Sequence, residues 1–128
     1  MVRNNQDPGV LIVEDDPAIR RLVKTVLQRE GYRVDVANDG IEAVLKLGVA
    51  EFDVIVLDLM MPNLDGFNLM NTLAANDPSR LQKIIVTSAA SPSIIRDRMT
   101  GTPFDLLSKP FDIAQLAERV ARCLEAQA

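Results

Sequence analysis

The sequence predicts an α/β fold in which helices cover both faces of a parallel five-stranded sheet. Short apolar runs rich in Val, Ile and Leu alternate five times with segments whose apolar residues recur at helical spacing. Several runs are apolar throughout, as in residues 54–57, which is typical of strands buried on both faces. Because alternating strands and helices require right-handed crossovers, they place helices on both sides of a parallel sheet.

The first predicted unit is a strand over residues 10–14 followed by a helix. Asp16 is the expected N-cap of this helix, and Pro17 occupies its first position, where a missing N–H costs nothing. Gly31 suits the C-terminal stop. The apolar face of the helix is predicted to consist of Ile19, Leu22, Val23, Val26 and Leu27.

The second and third units repeat this alternation. Residues 32–36 are predicted as strand two and residues 40–48 as helix two. Strand three covers residues 53–57, the segment 60–66 is a loop, and helix three covers residues 67–75. The inward residues of helix two are predicted to be Ile41, Val44 and Leu45.

The last two units complete the sheet. Residues 76–78 break the chain before strand four at 83–88, and Ser91–Pro92 opens a short helix four. Strand five is predicted at 104–107, and Asp112 caps helix five. The inner stripe of helix five consists of Ile113, Leu116, Ala117, Val120 and Leu124. Five strands and five helices of this kind suit the flavodoxin-like, doubly wound strand order 2-1-3-4-5.

Length and composition restrict the protein to a few classes. With 128 residues, the chain is long enough for one domain, predicted at residues 10–126 after a flexible N-terminal tail at 1–9. We expect no output domain, because helix five ends close to the last residue. A net charge of −4 argues against direct nucleic acid binding. The lone Cys123 and the lack of a signal region or membrane-length apolar run favour a soluble cytoplasmic protein.

Two absences from the sequence exclude common catalytic sites. The chain contains no histidine, so Ser-His-Asp and Cys-His hydrolases and histidine-ligated metal sites are excluded. It also lacks a P-loop and a G-x-G-x-x-G motif, which are the usual glycine-rich nucleotide sites.

Polar residues follow three of the predicted strands and should meet at one edge of the sheet. Glu14 and Asp15 follow strand one, Asp58 follows strand three and Lys109 follows strand five. Ligands bind at the carboxyl ends of parallel strands. Carboxylates suit Mg²⁺, and a carboxylate can act as a nucleophile toward phosphorus. The pattern predicts Asp15 and Asp58 as direct metal ligands, with Glu14 bound through water, and Lys109 as a point charge opposite them.

Simpler roles remain open for most of these residues. Asp16 is expected to act as a helix cap alone, whereas Glu14 and Asp15 taken in isolation are equally compatible with solvated loop acids. Lys109 is compatible with a surface lysine, although its place between a strand and Pro110 argues against this. Burial of an unpaired carboxylate is costly, so Asp58 at the end of an apolar run is harder to explain without a function.

Two adjacent hydroxyls, Thr87 and Ser88, end strand four. Period-two alternation allows only one of them to face the site. Ser88 is the candidate hydroxyl for a phosphoryl oxygen, and Thr87 is the alternative. Ser88 is also compatible with a local backbone hydrogen bond.

The chain resembles a response regulator receiver domain of two-component signalling, in particular the single-domain chemotaxis regulators. The resemblance rests on motifs at usual spacings: residues 14–17 (EDDP), residues 58–66 (DLMMPNLDG), the hydroxyl of Ser88 and residues 109–111 (KPF). It implies that Asp58 is the phosphoacceptor and that the backbone carbonyl of Met60 is a further Mg²⁺ ligand, with Mn²⁺ as an alternative ion.

The resemblance has further implications near Lys109. Lys109 would contact the phosphoryl group, the Lys109–Pro110 peptide bond is a candidate for the cis form, and the small Ala89 would admit phosphodonors. Relatives often carry Tyr or Phe where this chain has Leu106, and Phe104 is expected on the same strand face. The chain therefore departs from the family at the aromatic half of the usual switch.

The resemblance also implies partners. The phosphodonor would be a sensor histidine kinase, a histidine phosphotransfer protein or a small phosphodonor, and phosphorylation would change the affinity for a downstream effector. The protein would be no enzyme in the usual sense, although it would assist its own phosphorylation and dephosphorylation. The face formed by helix four, strand five and helix five is a candidate dimer interface.

Two other functions compete with this interpretation. An aspartate-nucleophile phosphatase of the haloacid dehalogenase type would use a similar carboxylate and lysine set. Such enzymes usually carry a second aspartate two residues after the nucleophile, where this chain has Met60. A receiver-like adaptor that acts without phosphorylation is the other alternative.

Overall fold

The computed structural model describes residues 7–61, 64–99 and 101–128. Its main sheet has five parallel strands in the order β2-β1-β3-β4-β5, which confirms the predicted topology. The strands are β1 Gly9–Val13, β2 Arg33–Ala37, β3 Val54–Asp58, β4 Ile84–Ser88 and β5 Asp105–Ser108. The α-helices of the described residues are α1 Pro17–Arg29, α2 Gly40–Val49, α3 Gly66–Asn76, α4 Pro92–Arg98 and α5 Ile113–Ala126.

Three short features differ from the sequence prediction. β1 begins at Gly9, whose backbone N–H donates to Asp53 Oδ2 at 2.8 Å; residues 1–6 of the predicted tail lie outside the described residues. Met60–Met61 and Leu64–Asp65 form a two-residue antiparallel ladder within the predicted loop, of which residues 62 and 63 are not described. The predicted breaker leads into a 3₁₀ helix, Pro78–Lys83, which Asp77 caps.

The core lies in two layers, one on each face of the sheet. On one face, alternate strand residues such as Leu11 and Leu57 pack with α2, α3 and α4. On the other, residues such as Ile12 and Val56 pack with α1 and α5. The three inner strands β1, β3 and β4 are buried along their whole length, as their apolar sequences predict.

The ends of α1 and α5 have the predicted caps. The Asp16 carboxylate accepts the N–H groups of the first turn of α1, and Asp112 forms a capping box with Gln115. Gly31 has a φ of 94° just after α1, a conformation that favours glycine. One predicted core position is wrong: Leu22 is 55% exposed, because α1 presents Val23 and Leu27 to the sheet.

The predicted orientation of α2 is wrong. Ala43 faces the core, and the half-buried Lys46 donates to Asp35 Oδ1 at 2.7 Å and to the carbonyl of Val36. These bonds hold the polar side of α2 against the edge strand β2. The residues predicted to point inward are exposed instead, by 75%, 53% and 65% for Ile41, Val44 and Leu45 respectively.

Candidate functional site

Acidic residues from two strands meet at the carboxyl edge of the sheet. β1 leads directly into Glu14 and Asp15, and Asp58 is the last residue of β3. The strands are neighbours, with Val13 beside Leu57, so the acids that follow are brought together. One carboxylate oxygen from each of Glu14, Asp15 and Asp58 lies within 4.8 Å of the others. Glu14 and Asp58 are buried, whereas Asp15 is exposed at the mouth of the cluster.

Lys109 directly follows the edge strand β5 and reaches this cluster from there. Its ammonium donates to Glu14 Oε1 at 2.9 Å and to Asp58 Oδ2 at 3.0 Å. The second oxygen of each acid accepts a backbone N–H, from Asp16 to Glu14 Oε2 at 3.2 Å and from Met60 to Asp58 Oδ1 at 3.0 Å. Both buried carboxylates are therefore held at both oxygens, which fixes their orientation before any ligand arrives.

Burial, hydrogen bonds and neighbouring charges shift two pKa values in the cluster. Burial raises the pKa of Glu14, and the nearby Asp58 adds to this effect, although hydrogen bonds from Lys109 and Asp16 oppose it. Burial opposes the charge of Lys109, but its hydrogen bonds and charge interactions with Glu14 and Asp58 outweigh burial and raise its pKa. Lys109 is therefore a permanent cation at neutral pH.

Arg20 supports the acidic segment from α1, a role that no sequence motif indicates. One guanidinium nitrogen donates to the backbone carbonyls of Glu14 at 3.0 Å and Asp15 at 3.3 Å. Its position on the first turn of α1, just after the acidic residues, is the signal from which this contact could have been predicted. Asp16 acts as the N-cap of α1 through Oδ1, which accepts the N–H of Ala18 at 2.8 Å.

Gly66 lets α3 begin against the segment that carries Asp58. A Cβ atom at Gly66 would lie 2.6 Å from the Cα of Leu59, the residue that follows Asp58. Because the close neighbour is backbone, no side-chain rotation can make room for a larger residue. The glycine that ends the phosphoacceptor-like motif therefore has a steric reason that the sequence alone does not reveal.

Both hydroxyls at the end of β4 are buried. Asp58 pairs in register with Thr87, whereas Ser88 Oγ accepts the N–H of Ala90 at 3.1 Å. The preference for Ser88 over Thr87 therefore stays a prediction. Ala89 is exposed beside them, at the position named for phosphodonor access.

The segment that carries Lys109 is tied to β4. The backbone N–H of Lys109 donates to the carbonyl of Ser88 at 2.8 Å, and the Lys109–Pro110 peptide bond is cis. The expectation for Phe104 is wrong, because Phe104 precedes β5 and packs with the α1 and α5 layer. Leu106 packs with the other layer, so the two side chains do not share a face.

The donor set fits a hard divalent cation. Mg²⁺ and similar ions take oxygen ligands and retain several waters, and here three carboxylates converge with one of them exposed to solvent. Lys109 neutralises only part of the charge of three carboxylates, which leaves a net negative site for a cation.

A family model for the response regulator receiver domain matches residues 10–121. The chain belongs to this family. Receiver domains are signalling modules of two-component response regulators and not classical enzymes, and the acidic cluster is of the kind that binds a divalent metal in them.

Known receiver proteins resemble this chain in sequence and fold. The transcriptional regulatory protein TrcR of Mycobacterium tuberculosis is 37% identical over 114 residues, which cover 87% of this chain and 43% of TrcR. The receiver domain of the Francisella response regulator 1452 has a TM-score of 0.84 at 33% identity, with 95% of this chain and 100% of that chain covered. The receiver domain described here spans about half, or less, of the length of the first curated relatives it matches.

Some of the similar structures hold ligands. The response regulator TrrA of Thermotoga maritima, in complex with Mg²⁺ and BeF, has a TM-score of 0.75 at 30% identity, and the match covers 91% of this chain and 99% of the TrrA chain.

Within the described part of this receiver domain, none of the helices is long and apolar enough to cross a membrane.

Proposed function

We propose that Asp58 of this receiver domain accepts a phosphoryl group from a phosphohistidine of a sensor histidine kinase or histidine phosphotransfer protein. A bond forms between an Asp58 carboxylate oxygen and phosphorus, while the phosphorus–nitrogen bond of the donor breaks and its electron pair returns to the imidazole. The single observation that carries the proposal is the convergence of Lys109, Glu14 and Asp15 on Asp58.

The residues around Asp58 have separate roles in this proposal. Asp15, Asp58 and the carbonyl of Met60 hold Mg²⁺ directly, Glu14 holds it through water, and Mn²⁺ is an alternative ion. When bound, the metal neutralises charge on the transferring phosphoryl group. Lys109 supplies a fixed positive charge to a phosphoryl oxygen.

Two further groups complete the proposed phosphoryl site. The hydroxyl of Ser88, with that of Thr87 as the alternative, donates a hydrogen bond to another phosphoryl oxygen. Exposed Ala89 leaves the entrance open to the donor. Every residue that would contact the metal or the phosphoryl group then lies at the end of a strand or on the segment that directly follows one.

Phosphorylation then changes the binding of a downstream effector. The phosphoryl dianion replaces the single negative charge of the Asp58 carboxylate that Lys109 contacts, and this biases the segment between β4 and α5 toward a second conformation.

Dephosphorylation relies on water, and the exposed side chain of Met60 offers that water no acid or base. The same side chain argues against an aspartate-nucleophile phosphatase. Engagement of Lys109 with Asp58 argues against an adaptor that needs no phosphorylation.

The test is phosphorylation with acetyl phosphate and Mg²⁺, followed by intact mass measurement. We expect one added phosphoryl group that requires the metal and is absent from Asp58→Asn. A protein that gains no mass under these conditions, or gains it equally in Asp58→Asn, would contradict the proposal.

A matched pair of variants tests the metal ligands. Asp15→Asn removes a proposed ligand, whereas Asp16→Asn removes the adjacent charge and keeps the helix cap, since Asn caps as well as Asp. We expect Mg²⁺ affinity to fall at least about tenfold in Asp15→Asn and to change less than about threefold in Asp16→Asn, because only the former loses a direct ligand. Equal losses in both variants would indicate a general charge effect in place of a defined site.

A further inference from the structure

Helix α2 presents an apolar surface to solvent. All residues of this helix are described, and its exposed positions are Ile41, Val44, Leu45, Gly48 and Val49. Val49 is the most exposed of them at 85%. The two charged residues, Glu42 and Lys46, are half-buried and interact with each other and with the β2 edge. The usual arrangement of a surface helix is therefore reversed on α2.

This surface continues into a groove between α2 and α3. The groove has a volume of about 410 Å³, and Asn68, Leu69 and Thr72 of α3 form its second wall. Four large apolar side chains that are each more than half exposed make a patch comparable with the ~300–600 Å² of the largest apolar patch on a typical monomer. A standard interface buries about 800 Å² per partner, so the patch supplies a large part of one.

We propose that the exposed face of α2 is an interface between two copies of this chain, packed with their α2 helices antiparallel about a two-fold axis. With the axis between Val44 and Leu45, Ile41 of one copy faces Gly48 of the other. By symmetry, Gly48 of the first copy faces Ile41 of the second, and Val44 of each copy faces Leu45 of the other at the centre. Large side chains thus lie opposite glycines at both ends of the contact, as two packed helices require.

The glycines and the charge distribution favour a second copy as the occupant. A Cβ atom at Gly48 would meet nothing within 4 Å, so the space opposite Ile41 is open. Each chain carries a net charge of −4, but the exposed face contributes none of it. Two copies can therefore meet without burying an unpaired charge.

The α4–β5–α5 face, the alternative suggested by the resemblance, offers less apolar surface. Of the seven large apolar side chains that are exposed among the described residues, four lie on α2 and only Ile94 lies on α4. The proposed interface also contains none of the phosphorylation-site residues. Phosphorylation of Asp58 and this association are therefore independent, and the failure of one proposal leaves the other intact.

Sedimentation velocity over the micromolar range tests the proposal. We expect a monomer–dimer equilibrium whose Kd rises at least about tenfold in Val44→Glu, because the variant buries an unpaired charge. Ile94→Glu is the matched control, since it places the same charge at a 55% exposed apolar residue on α4, outside the proposed interface, and it should leave the Kd unchanged. Circular dichroism should show that both variants fold.

Gly48→Leu distinguishes the proposed contact between Ile41 and Gly48 from nonspecific apolar association. The variant enlarges the apolar surface, so nonspecific association would become stronger, whereas the proposed contact between Gly48 and Ile41 would be lost and the dimer weakened. A double variant with cysteines at positions 41 and 48, in a Cys123→Ser background, should form a disulfide-linked dimer. Either single cysteine should not, because equivalent positions lie about 10 Å apart along the helices.

Each outcome decides the proposal. A monomer throughout the micromolar range, a dimer lost in Ile94→Glu and kept in Val44→Glu, or a stronger dimer in Gly48→Leu would overturn it. Weakening by Val44→Glu and by Gly48→Leu, together with cross-linking of the double cysteine variant alone, would establish it.

Discussion

Lys109 Nζ lies 3.0 Å from Oδ2 of Asp58, although 51 positions separate the two residues in the chain. The same ammonium also contacts Glu14, so one cation balances two buried carboxylates that end neighbouring strands. This relationship makes the receiver domain's acidic edge stable without a bound ligand and leaves the cation in place to meet a phosphoryl group.

Replacing Lys109 by methionine should destabilise the protein most when no metal is present. The variant leaves Glu14 and Asp58 without their shared counter-charge, which we expect to lower the free energy of unfolding by about 2–3 kcal/mol. The value lies below that of a fully buried pair because the Lys109 side chain is 20% exposed. Mg²⁺ should restore more stability to the variant than it adds to the native protein.

Urea unfolding with and without Mg²⁺ measures this effect, and Lys46→Met is the control. Lys46 also pairs with a carboxylate, but its partner Asp35 is 47% exposed, so we expect a loss below about 1 kcal/mol. Equal losses in the two variants would show that Lys109 plays no special part in the acidic cluster.

Replacing Gly66 by alanine should impair both stability and phosphorylation. The added methyl would lie 2.6 Å from the backbone of Leu59, so either α3 or the segment after Asp58 must move. We expect a cost of about 1–3 kcal/mol and slower phosphorylation by acetyl phosphate. Gly48→Ala, where the methyl enters open space in a helix, should instead stabilise by about 0.5–1 kcal/mol when measured on the monomer. Normal rates and stability in Gly66→Ala would refute the steric role.

The two hydroxyls of β4 can be separated by substitution. If Ser88 donates to a phosphoryl oxygen, Ser88→Ala should slow phosphorylation by at least about tenfold, since hydrogen bonds to charged groups contribute about 1.5–3 kcal/mol. Thr87→Val should stay within about twofold. The opposite ranking, measured from initial rates of mass gain, would assign the role to Thr87, which lies in register with Asp58.

Cys123 should be unreactive at neutral pH and should contribute to stability only below alkaline pH. Burial raises the pKa of its thiol to about 11 from 9.0, and its Sγ donates to the carbonyl of Gln82. Because the folded-state pKa is the higher one, this stability is fully present below about pH 9 and is lost as the pH rises through 11.

Iodoacetamide labelling and urea unfolding between pH 8 and pH 11 check this expectation for Cys123. Labelling should be slow until urea unfolds the protein. The alkaline decline in unfolding free energy should be shallower in Cys123→Ala, in which no thiol titrates. Rapid labelling of the folded protein at neutral pH would show that the thiol is not protected as described.

The strand topology and the acidic cluster could be predicted from the sequence more reliably than the exposed faces of the helices. Uninterrupted apolar strands and capped helices leave few alternatives, and acids at strand ends must meet when the strands are parallel neighbours. Asp58, Glu14, Asp15 and Lys109 were predicted to lie together for this reason, and the structure brings them together.

The rest could not be predicted because it depends on contacts that a periodic pattern does not encode. Apolar residues surround α2 on almost every side, so helical periodicity cannot choose its buried face; the bonds of Lys46 to the β2 edge decide it. Leu22 is exposed although it lies on the predicted apolar face of α1, and the steric role of Gly66 depends on a contact with backbone atoms that carries no sequence signal.

We expect Asp58 alone to carry the phosphoryl group. Reduction of the protein with borohydride after phosphorylation converts an acyl phosphate into an alcohol, and peptide mapping then locates the altered residue. We expect homoserine at position 58, and its formation should depend on Mg²⁺ and on the phosphodonor. Modification at Asp15 or Glu14, or none at all in a protein that has gained phosphoryl mass, would contradict it.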